Sequence, residues 1–296
     1  MEVSQINPLN SYSKSELVLN DKGQVYHLGV SPSQIAHKII LVGDQDRVSL
    51  VSTFFETIEH KSQHREFVCH TGLYNGKRIS ALSSGIGTDN IDIVMNELDA
   101  LVNIDLENRI DKKESISLEI VRIGTCGILQ KEYPVHSWIL SDFAFGLDNV
   151  AHFYEINFSD EEIDLCDKLN DFINFPKNIH PYFIAPSRSL SNKLRTEKTK
   201  SGITVTSSGF YGPQGRQLRL KNRTENLQLL LGDFENNGLR VTNFEMESSA
   251  LFAIGRELGH HCATICLGVA NRPNMEFSKG YTKEMNELIE YVLDRI

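Results

Sequence analysis

The sequence has no long hydrophobic run, few cysteines and no excess of positive charge, and each absence excludes a class of protein. No apolar stretch approaches the ~18–20 residues that a membrane-spanning helix needs, and the polar N-terminus lacks the apolar segment of a signal peptide. We therefore expect a cytoplasmic protein without a membrane partner. The formal net charge of −9 argues against general nucleic-acid binding, which favours a basic face. A few arginines could still form a local pocket for a small anion.

The five cysteines are widely spread and contain no CxxC pair. This pattern argues against both a disulfide framework and a zinc site. Cys262 and Cys266 fall in an apolar, strand-like run, so we expect buried thiols there. The 296 residues are enough for one large α/β domain, and no linker, internal repeat or low-complexity segment divides them.

Strands and helices are predicted to alternate along most of the chain. Short β-rich runs lie at residues 37–42, 79–83, 118–123, 138–141, 203–206 and 263–270, and helical spacing occurs near residues 88–102, 245–258 and 285–296. We interpret residues 1–25 as a loosely ordered N-terminal arm, residues 26–296 as a single domain, and the charged residues 103–117 as a surface loop. The alternation predicts an α/β fold with a mixed central sheet flanked by helices. Ligands in such folds bind at the carboxyl ends of the strands.

Two arginines lie beside glycine turns that follow predicted strands. Arg47 ends residues 43–47 (GDQDR), and Arg122 precedes residues 124–127 (GTCG). Glycine lets backbone N–H groups approach an anion, and a guanidinium group can hold phosphate oxygens with two hydrogen bonds. Such an arginine is more often part of a surface salt bridge. Arg122 differs because it lies within an apolar strand, where a buried charge needs a bound anion or a buried carboxylate as its partner.

Residues 210–216 (FYGPQGR) combine an aromatic ring, an amide and a guanidinium group. The amide both donates and accepts hydrogen bonds, whereas the guanidinium only donates. The set could stack on a flat heterocycle and bind its carbonyl and imide edge. Taken by spacing alone, the same residues fit a Gly-Pro turn with exposed polar side chains.

Residues 243–247 (NFEME) place two carboxylates at the predicted start of a helix. On a helix, Glu245 and Glu247 would point about 200° apart, so one could serve a site while the other points elsewhere. The alternative is a pair of acidic residues that favour the helix N-terminus through its dipole.

These segments together supply groups for a phosphate, a planar base and a sugar diol. Seven motifs occur in order: residues 26–29 (YHLG), 43–47 (GDQDR), 65–67 (REF), 84–87 (SGIG), 122–125 (RIGT), 210–216 (FYGPQGR) and 245–247 (EME). With these motifs the chain resembles the nucleoside phosphorylase family, and within it the uridine phosphorylases, over residues 26–272. The resemblance implies a three-layer α/β/α catalytic domain. It also implies a pentosyltransferase that converts uridine and phosphate to uracil and ribose 1-phosphate in pyrimidine salvage or catabolism.

The resemblance further implies a role for each matching residue. Phosphate would be bound by Gly43, Arg47, Arg65, Arg122 and Thr125. The base would pack on Phe210 and be read by Gln214 and Arg216. The ribose would be held by His27, Glu245, Met246 and Glu247. The groups expected to act in catalysis are Arg216, Gln214, Arg122 and Glu247.

The resemblance also implies that the site is shared between subunits. His27 and Arg65 would come from the neighbouring subunit, so a homodimer is the minimal unit and a hexamer of three dimers is an open alternative. Glu66 is a candidate for a K⁺ site between subunits, and no cofactor other than the co-substrate phosphate is implied. Residues 88–90 (TDN) and 103–117 depart from the family pattern, which leaves the subunit contacts and the cation site open.

Three other functions remain open at this stage. A purine nucleoside phosphorylase of the same fold usually has a Ser-Asp pair after the last core strand, and residues 267–272 (LGVANR) lack it. A nucleosidase that uses water would not need three arginines around an anion. A catalytically silent nucleoside-binding protein should have broken site motifs, whereas those of this sequence are complete.

Overall fold

The structure, a computed structural model, describes residues 11–296 of the chain. Its strands are β1 (Lys38–Val42), β2 (Thr57–His64), β3 (Phe67–Tyr74), β4 (Lys77–Ser83), β5 (Ile104–Asp105), β6 (Ile110–Asp111), β7 (Glu119–Ile128), β8 (Trp138–Gly146), β9 (Tyr182–Ile184), β10 (Thr199–Thr206), β11 (Glu235–Asn236), β12 (Leu239–Glu245), β13 (His261–Asn271) and β14 (Glu276–Phe277). Its helices are α1 (Gln45–Ser52), α2 (Thr88–Asn103), α3 (Asp160–Ile173), α4 (Arg188–Leu194), α5 (Leu227–Asp233), α6 (Ser248–Glu257) and α7 (Thr282–Leu293). No helix within residues 11–296 is long and apolar enough to cross a membrane.

A mixed sheet forms the centre of the molecule. Its strand order is β11-β12-β10-β8-β13-β7-β1-β4-β3-β2, with β9 beside β8 and β14 beside β13. The strand β12 also pairs antiparallel with the end of β7, where Asn243 lies opposite Ile128 and Phe244 lies opposite Gly127. The strands β7, β13, β8, β10 and β12 therefore close into a ring, and this closure brings the end of β12 against the end of β7.

Helices cover both faces of the sheet, which confirms the predicted α/β class. Residues 39–42 of the strand β1 are all apolar because they are buried on both faces. Its residues Ile39 and Leu41 pack with α2 and α6, whereas Ile40 and Val42 pack with α1, α4 and α7. A third cluster packs α3 and α5 against β8, β10 and β12. The helices thus hold the strand ends of the central sheet in fixed positions, and these ends form the candidate site.

Two sequence-based interpretations of irregular segments need correction. Residues 11–25 are not a loosely ordered arm: Leu17 and Val25 are buried in the core, and the Tyr12 hydroxyl donates to Asp111 at 2.8 Å. Residues 1–10 lie outside the described residues. The predicted loop at residues 103–117 contains the β5–β6 hairpin, which packs beside this N-terminal segment. Both segments are too short and polar for periodicity to indicate their burial.

Candidate active site

A cavity of about 830 Å³ opens where β1, β4, β7, β10, β12 and β13 end. Its walls include most of the predicted site residues: Gly43, Arg47, Glu66, Arg122, Thr125, Phe210, Gln214, Arg216, Glu245, Met246 and Glu247. Two predicted residues, His27 and Arg65, do not line it. The sheet topology therefore gathers groups that are more than two hundred residues apart in sequence into a single cavity.

Arg122 lies within β7 and is almost fully buried. Its Nη2 atom donates to Glu247, and its Nη1 atom lies 3.3 Å from Glu245 Oε2. Burial alone would lower the pKa of this guanidinium, but Glu247 and Glu245 together hold the pKa above its ordinary value. Glycine at position 124 leaves room for the guanidinium, because a Cβ there would collide with Arg122 Nη1. The sequence left open whether this buried charge is paired with a bound anion or with a buried carboxylate. In the structure it is paired with carboxylates.

The predicted arrangement of the two carboxylates is wrong. Residues 239–245 form β12, Glu247 occupies the N-cap position of α6, and the helix begins only at Ser248. The extended backbone before the helix lets both Glu245 and Glu247 face Arg122, instead of pointing about 200° apart as they would on a helix. The strand β12 was not predicted because its last residues are polar and lead almost directly into α6. No sequence signal separates the two elements.

The two carboxylates have different surroundings. Glu245 accepts hydrogen bonds from Thr206 Oγ1 at 2.5 Å and from Ser248 Oγ at 2.8 Å, besides backbone N–H groups. Glu247 accepts one backbone hydrogen bond, from Gly87 at 2.8 Å. Burial raises the pKa of Glu247, Glu245 raises it further, and Arg122 opposes both effects. Glu245 is thus held by many donors, whereas Glu247 is held mainly by Arg122 and by the glycine loop after β4.

Arg47 lies in the first turn of α1, directly after β1. Its Nη1 atom donates to the carbonyl oxygen of Ile123 at 3.2 Å. Burial lowers the pKa of its guanidinium, and the neighbouring charge of Arg122 also lowers it. A cationic group whose pKa is lowered by a second cation favours an anion between the two. Gly43 and Thr125 border the same cavity, so this region has the composition of a phosphate site.

The segment 210–216 forms a cation–aromatic cluster. The Arg216 Cζ atom lies 3.5 Å from the centroid of the Phe210 ring. The Gln214 Oε1 atom accepts from Arg216 Nη1 at 2.6 Å and from Arg272 Nη2 at 3.1 Å. Burial, with a smaller contribution from Arg272, lowers the pKa of Arg216 to about 10, so the group stays charged at neutral pH. Because two guanidinium groups occupy the Gln214 oxygen, the amide NH₂ of Gln214 is left to donate to a ligand.

Arg272 is a site residue that the sequence analysis did not assign. It follows β13 immediately and reaches Gln214 across the sheet. A lone arginine after an apolar strand is a weak signal. Arg272 lies beside the 210–216 segment because β13 and β10 are separated only by β8 in the sheet.

His27 and Arg65 lie together on a surface outside the cavity. His27 Nδ1 pairs with Glu97 Oε1 at 2.7 Å, and His64 Nδ1 contacts the His27 carbonyl oxygen at 2.8 Å. The Arg65 Cζ atom lies 5.5 Å from the centroid of the Tyr26 ring. Neither residue lines the cavity of its own protomer. Their expected role at the site of a neighbouring subunit stays a prediction.

Glu66, the candidate residue for a cation site, lines the same cavity. Glu66 brings one carboxylate to the cavity wall, and the Asn90 amide donates to the Ile86 carbonyl oxygen at 3.3 Å. Hard cations prefer several oxygen ligands, and residues 11–296 contain no group of three or more His, Cys, Asp or Glu side chains that could hold a metal ion. The K⁺ site at Glu66 therefore stays a prediction.

Comparison with known proteins identifies the family of the chain. The model of the phosphorylase superfamily matches residues 37–294. The chain belongs to this superfamily. A uridine phosphorylase of Thermococcus kodakarensis is 26% identical over 280 residues, which is 93% of this chain and 88% of that protein. A DeoD-type purine nucleoside phosphorylase of Brevibacillus brevis is 27% identical over 271 residues, which is 90% of this chain and 97% of that protein.

A solved structure of the superfamily matches almost the whole chain. It is the Trypanosoma brucei nucleoside phosphorylase that shows uridine phosphorylase activity, with a TM-score of 0.86 and 26% identity. The match covers 94% of this chain and 98% of the trypanosomal chain. The predicted nucleoside phosphorylase fold is therefore confirmed. The superfamily relatives include both uridine and purine enzymes, so the base preference must be argued from the cavity.

Proposed function

We propose that the protein is a uridine phosphorylase, which cleaves uridine with inorganic phosphate to give uracil and ribose 1-phosphate. One observation carries the proposal: a single cavity combines the arginines Arg47 and Arg122 with the Phe210–Gln214–Arg216 cluster. The first pair suits an anionic nucleophile, and the cluster suits a flat base with carbonyl groups. We further propose that the enzyme acts in the cytoplasm, in pyrimidine nucleoside salvage or breakdown.

The 210–216 segment would assist the departure of the uracil leaving group. As the bond from the anomeric carbon to uracil N1 lengthens, negative charge develops on the base and spreads to its carbonyl oxygens. Arg216 and the amide NH₂ of Gln214 would donate to those oxygens, and these hydrogen bonds strengthen as the charge grows. The reaction then needs no strong general acid. Phe210 would pack against the face of the ring.

The nucleophile and the sugar would be positioned by the other side of the cavity. Arg47 and Arg122, joined by Thr125 and the turn at Gly43, would align phosphate with the anomeric carbon. Glu247 would accept hydrogen bonds from the ribose hydroxyls, with Met246 and Glu245 beside it. Since Arg122 contacts Glu247, one buried guanidinium links the phosphate and ribose halves of the site.

Release of uracil tests the reaction directly. We expect phosphate-dependent release from uridine, and little or no reaction of inosine, because residues 267–272 (LGVANR) lack the Ser-Asp pair of the purine enzymes. The measurement is an initial-rate assay of uridine, inosine and thymidine, each with and without phosphate. Release of uracil at the same rate without phosphate would instead identify a nucleosidase. Faster cleavage of inosine would identify a purine enzyme, the alternative that the purine-specific relatives favour.

We also propose that His27 and Arg65 complete the site of a neighbouring subunit, so that the enzyme is at least a homodimer. Arg65→Ala and Arg216→Ala subunits, co-expressed with different tags, should then complement each other. One site of a mixed dimer has both arginines intact, so the purified mixed dimers should have about half of native activity. The activity of the doubly tagged, purified dimers is the measurement.

The matched control for this experiment pairs His27→Ala with Arg65→Ala subunits. Both substitutions lie on the donated patch, so neither site of that mixed dimer is complete and activity should not exceed that of the parent variants. Equal activity in the two mixtures would contradict a shared site.

A further inference from the structure

A second cavity, also of about 830 Å³, lies against residues 208–224, the segment that forms one wall of the active site. Its size is within the range of small-molecule sites. Its inner wall is apolar and includes Leu147, Phe175, Ile179 and Leu227. The outer wall is formed by the segment itself, which continues into the active-site wall through Phe210, Gln214 and Arg216.

The charges around this cavity all have one sign. Arg216, Arg219, Lys221 and Arg223 line it, and none of its lining residues is an Asp or Glu. Among residues 11–296, Arg219, Lys221 and Arg223 form no salt bridge, although other surface arginines of the chain do. In a protein with a net charge of −9, this cluster is a local positive field that attracts an anion.

The same segment leaves two large apolar side chains uncovered. Leu218 is 74% exposed and Leu220 is 85% exposed, and both border the cavity. Contiguous apolar surface of this kind usually marks a binding site. An apolar wall with a cationic rim excludes sugars and free phosphate as good ligands, because neither would cover the leucines.

We infer that this cavity binds a small amphipathic carboxylate of the fatty-acid type, with its apolar chain against Leu218 and Leu220 and its carboxylate among the arginines. The cavity is coupled to the active site through Arg216, which lines both. In the structure, Arg216 is directed to Phe210 and Gln214. A carboxylate on the other side of the segment competes for that guanidinium. It therefore weakens the hydrogen bonds of Arg216 to the base.

Ligand binding and the effect of the ligand on activity are measured separately, because the effect on activity rests on the proposed function. Isothermal titration calorimetry with decanoate, kept below its micelle concentration, should show saturable binding, whereas decanol, which has no charge, should bind much more weakly. In the uridine assay, saturating decanoate should raise KM for uridine about fivefold or more, a typical allosteric coupling, and leave KM for phosphate nearly unchanged. By linkage, uridine bound in the absence of phosphate should weaken decanoate binding by the same factor as decanoate weakens uridine binding.

Leu220→Asp is the test variant, and Leu229→Asp is its matched control. Both leucines are strongly exposed, but Leu229 lies outside the cavity. The carboxylate at position 220 should abolish decanoate binding and its effect on KM, while basal activity stays near native in both variants.

Three results would overturn the inference. The first is the absence of decanoate binding to the native protein. The second is equal binding by the Leu220→Asp and native proteins. The third is a change of oligomeric state in Leu220→Asp alone, measured by analytical ultracentrifugation, which would identify the leucines as a contact between copies. If decanoate binds but the protein cleaves no nucleoside, the proposed function fails while the cavity assignment stands.

Discussion

Replacement of Arg216 by alanine is expected to reduce kcat/KM for uridine phosphorolysis by about 10²–10³, the usual loss when one preorganised donor to a developing negative charge is removed. The free energy of unfolding should change little, because Arg216 is only partly buried and its contacts lie within a surface segment. The loss should appear mainly in kcat, since the hydrogen bonds to the base strengthen in the transition state. Steady-state kinetics, together with urea unfolding, measures both quantities.

Arg223→Ala is the matched control for this prediction. It removes the same side chain from the same segment, but Arg223 does not line the active-site cavity. Its kcat/KM should stay within a few-fold of the native value. Near-native turnover of Arg216→Ala would remove this residue from the proposed mechanism, and an equal loss in both variants would indicate a general disturbance of the segment.

Most of the central sheet could be predicted because its strands are buried. The runs that became β1, β4, β7 and β13 are apolar and end in glycine or polar turns, and α2 repeats its apolar residues at helical spacing. The strand β2 was missed because it is an exposed edge strand of polar residues. The helix α3 was also missed, although its capping box of Ser159 and Glu162 is a readable start signal.

Most of the predicted site residues line the cavity, but their arrangement could not be predicted. An arginine inside an apolar strand indicated that Arg122 needs a partner, yet the choice between an anion and a carboxylate depends on how β12 meets β7. That pairing is non-local and leaves no periodic signal. The participation of Arg272 and of the Gly87 N–H group likewise depends on which strands become neighbours.

The second prediction concerns the stability of the protein and follows from the buried charges where β12 meets β7. Replacement of Arg122 by methionine keeps most of the side-chain volume but leaves Glu245 and Glu247 buried without their cation. Removal of one partner from a buried ion pair typically costs about 3–5 kcal/mol. We expect a loss of this size in the free energy of unfolding at pH 8, measured by urea denaturation, together with loss of activity.

The pH dependence of this loss distinguishes electrostatics from packing. Burial already raises the pKa of Glu247, and removal of Arg122 raises it further because Arg122 is the group that opposes the shift. A carboxyl group whose pKa is higher in the folded than in the unfolded state contributes stability at low pH and loses it as pH rises through the folded-state pKa. The variant should therefore be closer to the native protein at pH 5 than at pH 8. A double variant, Arg122→Met with Glu247→Gln, carries one buried charge less and should recover part of the stability at pH 8. If the deficit is the same at both pH values and the second substitution restores nothing, the cost is one of packing, and the carboxylates do not depend on Arg122 for their burial.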